Sequence, residues 1–159
     1  MSGIWPGDTR CVVMLTFDID GVSGAINQDP DSARLPGLMS LREYGPRVAV
    51  PRILGLLEEY GLPASFYIPV YTAETHEEMV REVSRRGHET AHHGYMHEPP
   101  ASLAPQEEAA ILDKGIGILD FCTVRVSQIG LHFRNLRKSS FKGRVRFFWD
   151  CFSVLQKCV

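Results

Sequence analysis

A chain of 159 residues has room for one domain of ordinary size. With 44% hydrophobic and 23% charged residues it falls near the globular average, which excludes a wholly disordered, collagen-like or coiled-coil protein. The net charge of −2 hides a division: residues 1–122 hold nine Lys and Arg against eighteen Asp and Glu, whereas residues 123–159 hold eight against Asp150 alone.

The first apolar run, residues 11–17, is continuous and partly β-branched, ends in Asp18, and is expected to be a buried parallel-type strand. It is too short to span a membrane and lacks a small-residue cleavage pattern, so the chain is expected to be soluble and cytoplasmic. Its four cysteines, Cys11, Cys122, Cys151 and Cys158, have no close metal-type pairing and read as free thiols. Residues 21–45 are rich in Gly, Pro, Asp and Ser and read as a long loop over the end of the first strand. Residues 48–60 carry Val50, Ile53, Leu54 and Leu57 at helical spacing, with Gly61 and Pro63 as the stop. A second buried strand is expected over residues 64–69, a helix over 72–86, a short third strand over 88–92, and a further helix from Ser102 with Pro105 early in it. This strand–helix alternation predicts an α/β domain on parallel strands, with ligands gathered at the strands' carboxyl ends.

Two clusters carry chemistry. Asp18 and Asp20 end the first strand, where i and i+2 share a face. Two such carboxylates repel unless a cation or a proton lies between them, which suits a metal ligand beside a base; a solvated Asp20-Gly21 turn is the plainer alternative. The segment from His88 to His97 holds four of the six histidines. The spacing of His93 and His97 is the one that sets two imidazoles on one helical turn, able to share a divalent ion. Imidazole with a carboxylate suits zinc, and also iron or cobalt. His88 and His92 read as packed residues or as donors behind the ligands, His76 as solvated, and Glu89 and Glu98 as surface or capping groups.

Thr16-Phe-Asp-Ile-Asp-Gly21, Pro63-Ala-Ser-Phe-Tyr-Ile68 and Gly87-His-Glu-Thr-Ala-His-His-Gly-Tyr-Met-His97, in that order, resemble the polysaccharide deacetylase family, the NodB-homology or carbohydrate esterase 4 enzymes. The similarity is greatest to the branch of peptidoglycan deacetylase-like and allantoinase-like proteins. The resemblance implies an α/β fold, here an incomplete (β/α) barrel, and metal-dependent hydrolysis of carbon–nitrogen bonds that deacetylates an N-acetylated carbohydrate or related amide. Carried over residue by residue, it implies Asp18 as general base and Asp20, His93 and His97 as ligands of a divalent metal, zinc first among the candidates.

The resemblance covers residues 1–122 as a partial domain. Downstream, the family supplies an arginine that orients the base and a histidine that acts as acid. Here Gln128-Ile-Gly-Leu-His-Phe-Arg134 lacks the matching proline, and His132 and Arg134 stand in no matching strand-end context. Residues 123–159 hold six of the fifteen aromatics and no proline, and read as a basic aromatic tail from a frame or splice change. Three expectations follow: a metal-dependent deacetylase; a truncated remnant that binds metal without turnover; and, ranked last, a tail that contacts nucleic acid. The partner is a carbohydrate or small amide, no membrane is involved, and an unfinished sheet edge favours homo-oligomers.

Overall fold

The computed structural model describes residue 11, residues 13–122 and residues 126–127. His132, Arg134, Cys151, Cys158 and nearly all of the basic aromatic tail lie outside the described residues.

The chain runs through β1 (Thr16–Asp18), α1 (Ser23–Gln28), a 3-10 turn at Pro30–Arg34, α2 (Pro36–Tyr44), a π-type turn at Gly45–Ala49 and α3 (Val50–Tyr60). It continues with β2 (Ser65–Ile68), α4 (Val70–Thr75), α5 (Glu77–Arg85), β3 (Glu89–His92), a 3-10 turn at Pro100–Ser102, α6 (Pro105–Cys122) and β4 (Val126–Ser127). The strands form one sheet in the order β1-β2-β3-β4, and every neighbouring pair is parallel. Parallel neighbours demand a crossover at each step, which the intervening helices supply.

Alternation along the strands sorts the sheet into two unlike faces. Phe17, Phe66, Ile68 and Thr90 share one, where Phe66 is fully buried and stacks on Phe17 at 5.2 Å. Leu54 of α3, Val80 and Val83 of α5 and Leu119 of α6 complete this core. Each such side chain contributes about 1.5–3 kcal/mol by leaving water. Thr16, Asp18, Ser65, Tyr67 and Glu89 share the opposite, polar face, where the Ser65 hydroxyl donates to Glu89.

The α3 terminus shows how local chemistry sets the crossover. Gly61 takes φ +60°, its N–H donates to Glu58 O at 3.2 Å, and the Leu62 N–H donates to Leu57 O at 2.9 Å. This pair of bonds is the Schellman arrangement, and the left-handed residue at its centre favours glycine. The chain then turns directly into β2.

Several expectations are corrected. The first strand is Thr16–Asp18 rather than residues 11–17, and it is not buried, with Thr16 and Asp18 exposed and Phe17 half-buried; the apolar run before it is open too, Val13 77% and Met14 40% exposed. Among the described residues β1 is paired on one side only, so its apolar run meets solvent. Residues 21–45 are largely helical rather than loop, because the residues that suggested a loop act as helix starts. Pro30 and Pro36 occupy first-turn positions, and the Asp29 carboxylate accepts from the Asp31 N–H at 3.0 Å. The helix expected over residues 72–86 is two helices, broken at His76. His76 is not solvated either: its side chain is 12% exposed, with Nε2 2.9 Å from Glu43 Oε2 and Nδ1 3.0 Å from Thr75 Oγ1.

Candidate metal centre

Asp20 follows β1 at the carboxyl end of the sheet. The ladder runs on past the strand through Ile19 N–H, which donates to Tyr67 O at 2.8 Å. The Asp20 carbonyl then accepts from Ser23 Oγ at 2.6 Å and from Thr72 Oγ1 at 2.7 Å. Gly21 turns the chain at φ +56°, with a Cβ there only 3.1 Å from Thr72 Oγ1. Two hydroxyls and a tight turn therefore hold the main chain that carries the carboxylate.

His93 follows β3, and the loop after it brings His97 back. The left-handed residues Gly94, φ +76°, and His97, φ +66°, make that return, and no helix is present. The helical turn expected for His93 and His97 is thus corrected to a looped one, which sets the rings 4.7 Å apart and nearly perpendicular. A left-handed non-glycine residue is uncommon and costs about 1–3 kcal/mol, so surrounding contacts must hold it. They do so from several sides. Val70 and Tyr71, whose N–H groups open α4 and have no partner within that helix, donate to Gly94 O and Tyr95 O at 3.0 Å each. The Glu98 carboxylate accepts from Tyr95 N–H at 2.9 Å, and Asn27 Nδ2 donates to His97 O at 3.3 Å.

These supports bring Asp20, His93 and His97 together. Asp20 Oδ1 lies 3.6 Å from His93 Nε2 and 3.8 Å from His97 Nε2, and one ligand atom from each residue falls within 4.8 Å of the others. The Asp20 side chain is 37% exposed as a whole, yet Oδ1 itself is buried without a hydrogen-bond partner. A buried carboxylate oxygen without a donor, facing two imidazole nitrogens, is the environment that a divalent cation satisfies. The donor set fits a metal ion.

Asp18 lies outside this trio, exposed at the end of β1 and beside Tyr67 in register. Tyr67 is buried with its ring edge-on to His93 at 6.2 Å, and its phenol is pushed up to about 12, by burial first and then by Glu89 and Asp18. It is a neutral hydroxyl at ordinary pH. His88 is buried against Phe66 at 5.6 Å, and burial holds its imidazole below the usual histidine range. His92 is buried too, its Nδ1 accepting from Gly94 N–H at 3.3 Å. Glu98 caps the histidine loop and Glu89 takes the Ser65 hydroxyl, the capping and surface-type roles expected of them. Ser23, Asn27, Tyr67 and Thr72 went unnoticed in the sequence. None sits in a pattern of its own, because their roles come from long-range approach.

A parallel β/α sheet with an Asp and two His converging beyond its carboxyl ends defines an α/β protein with a candidate metal centre. The family model for polysaccharide deacetylases matches residues 7–125, and the chain belongs to that family. It is 33% identical over 110 residues to a peptidoglycan deacetylase of Helicobacter pylori, covering 68% of this chain and 36% of the relative. It is 31% identical over 116 residues to a peptidoglycan deacetylase-like protein of Gibberella zeae, covering 72% of this chain and 34% of the relative. A crystal structure described as a polysaccharide deacetylase from Mycobacterium smegmatis superposes with a TM-score of 0.72 at 44% identity, covering 75% of this chain and 42% of that one. The chain thus spans about a third of the length of the curated relatives it matches. The fold is the incomplete (β/α) barrel of the NodB type that the motifs imply, with four adjacent strands among the described residues.

Proposed function

We propose that this chain carries the base and the metal ligands of a hydrolase that removes the acetyl group from the nitrogen of an N-acetylated carbohydrate. Asp20, His93 and His97 hold the ion, and zinc suits their two imidazoles and single carboxylate. The observation that carries the reading is the buried, donorless Asp20 Oδ1 lying 3.6 and 3.8 Å from the two imidazole nitrogens. When bound by these three residues, a divalent ion would supply positive charge to polarise the amide carbonyl and to acidify a water.

The remaining steps belong to the chain. Asp18, exposed two residues before Asp20, accepts the proton of the attacking water. The carbonyl carbon gains that oxygen, the amide nitrogen takes up the proton that Asp18 received as its bond to that carbon breaks, and acetate and the amine leave. Ser23 and Thr72 keep Asp20 in place, while Asn27 and Glu98 hold the histidine loop. Position rather than motion does this work.

The unmatched residues 128–134 favour a second reading, an inactive chain that binds metal without turnover. Four cysteines without close pairing in the sequence support a cytoplasmic reading. No helix among the described residues is long and apolar enough to cross a membrane.

Purified full chain assayed for bound zinc and for acetate release from an N-acetylated sugar oligomer tests both readings. Turnover abolished by Asp18→Asn with zinc retained supports the enzyme. Zinc bound through these residues without turnover supports the inactive chain, and a folded chain that binds no metal overturns both.

A further inference from the structure

Tyr95 lies midway between the two candidate histidine ligands and is the part of their loop that reaches two separate helices. Its hydroxyl donates to Glu74 Oε2 of α4 at 2.9 Å. Its ring lies under Lys114 of α6, whose Nζ is 3.9 Å from the ring centroid. Lys114 Nζ is in turn 3.5 Å from Glu74 Oε1, so the ammonium, the ring and the carboxylate close into one cluster. The Tyr95 main chain is fixed at the same time, its N–H donating to Glu98 and its carbonyl accepting from Tyr71 N–H.

The cluster is mostly open to water, with Lys114 and Glu74 side chains 51% and 35% exposed. An ion pair in that setting adds little to overall stability. Its leverage is geometric. Lys114 belongs to α6, beyond the whole histidine segment, and a cation over an aromatic face sets that face's tilt. With its hydroxyl held by Glu74 and its face by Lys114, the ring restrains where the Tyr95 Cα can sit, and so the course of the main chain from Gly94 to the left-handed His97.

We infer that Lys114, acting through Tyr95 and Glu74, is a positioning residue for the histidine loop and sets how closely His97 approaches Asp20 and His93. The inference rests on the reading of Asp20, His93 and His97 as metal ligands. It adds α6 to the elements that shape the centre, beside α1 and α4.

The test is titration of the full chain with Co²⁺, read as a dissociation constant and as the visible absorption of the bound ion, which reports ligand geometry. Residues behind metal ligands typically change affinity about 10- to 100-fold when removed. Lys114→Met and Tyr95→Phe are each expected to weaken Co²⁺ binding by about 10-fold and to alter the absorption envelope. Lys114→Arg, which restores a cation over the ring, is expected to recover most of both. Far-ultraviolet circular dichroism verifies that each variant is folded. Variants that match the parent within about twofold in affinity, with an unchanged spectrum, overturn the positioning role alone. A parent chain that takes up no Co²⁺ overturns the ligand reading, and this inference with it.

Discussion

A Cβ added to Gly115 of α6 would stand 2.1 Å from His92 Cδ2, so the imidazole occupies a notch that only a glycine leaves open. Gly115 is buried, and the same Cβ would fall 2.8 Å from Val70 Cγ2. Both neighbours are themselves buried. His92 ends β3, and its Nδ1 takes the Gly94 N–H at the start of the histidine loop. Gly115→Ala is therefore expected to destabilise the fold by about 1–3 kcal/mol, as overpacking of a dense core does, despite alanine's better helix propensity. A urea unfolding midpoint lower than the parent's, with zinc affinity reduced in the folded fraction, is the expected result.

Zinc is expected to stabilise the chain, because a ligand that binds only the folded state raises its stability by mass action. At free zinc 100 times its dissociation constant the gain is about 2.7 kcal/mol. Chelation with EDTA should remove that increment. Asp20→Asn, which takes the charge from an oxygen buried without a donor, should abolish the zinc response while leaving the metal-free protein folded. Thermal melts of parent and variant, with and without zinc, measure it.

His88 gives stability an acid-side slope. Burial, with Arg86 adding to it, holds its folded imidazole below the ordinary value of 6.5. The unfolded chain therefore takes up the proton first as pH falls. Stability from the neutral ring is fully present above about pH 6.5 and is lost as pH drops through the unfolded value towards the folded one. Replacing the ring by His88→Gln should flatten this limb. Urea midpoints across pH 5 to 8 for both chains decide it, and parallel curves would show that the slope arises elsewhere.

Gly61 is a glycine whose backbone sets its identity, at φ +60° between α3 and β2. The left-handed region costs a side-chain-bearing residue about 1–2 kcal/mol. Gly61→Ala should lower the unfolding free energy by that amount and leave zinc affinity unchanged, because the turn lies at the amino end of β2, opposite the Asp20 trio. Guanidinium titration with a parallel zinc titration separates the two quantities.

The alternation of strands and helices was legible because each strand is a short apolar run closed by turn residues, as with Gly61 and Pro63 before β2. The grouping of Asp20, His93 and His97, whose ligand atoms the fold brings within 4.8 Å of one another, was implied by the resemblance that the three ordered motifs carry, whereas the residues alone left a solvated Asp20-Gly21 turn open. Residues 21–45 resemble a loop in sequence because Pro30, Pro36 and Asp29 suit a loop and a helix start equally, and only the packing around them decides. The break at His76 left no mark in periodicity, and the partner of its ring there is Glu43 of the distant α2. The return of His97 was equally hidden. Its spacing mimics a helical turn, and its left-handed main chain is set by Val70, Tyr71 and Asn27.

The unlike faces of the sheet have a consequence for what can rest against them. On the side away from the helices, Thr16, Asp18, Ser65, Tyr67 and Glu89 offer hydroxyls and carboxylates where the other side offers Phe66 and Ile68. An aliphatic surface finds no oily purchase there, and releasing water from such groups without replacing their hydrogen bonds is costly. A molecule studded with hydroxyls trades one set of bonds for another at little net expense. The strip of sheet leading up to Asp20 is thus one whose polar groups lose hydrogen bonds under any apolar cover.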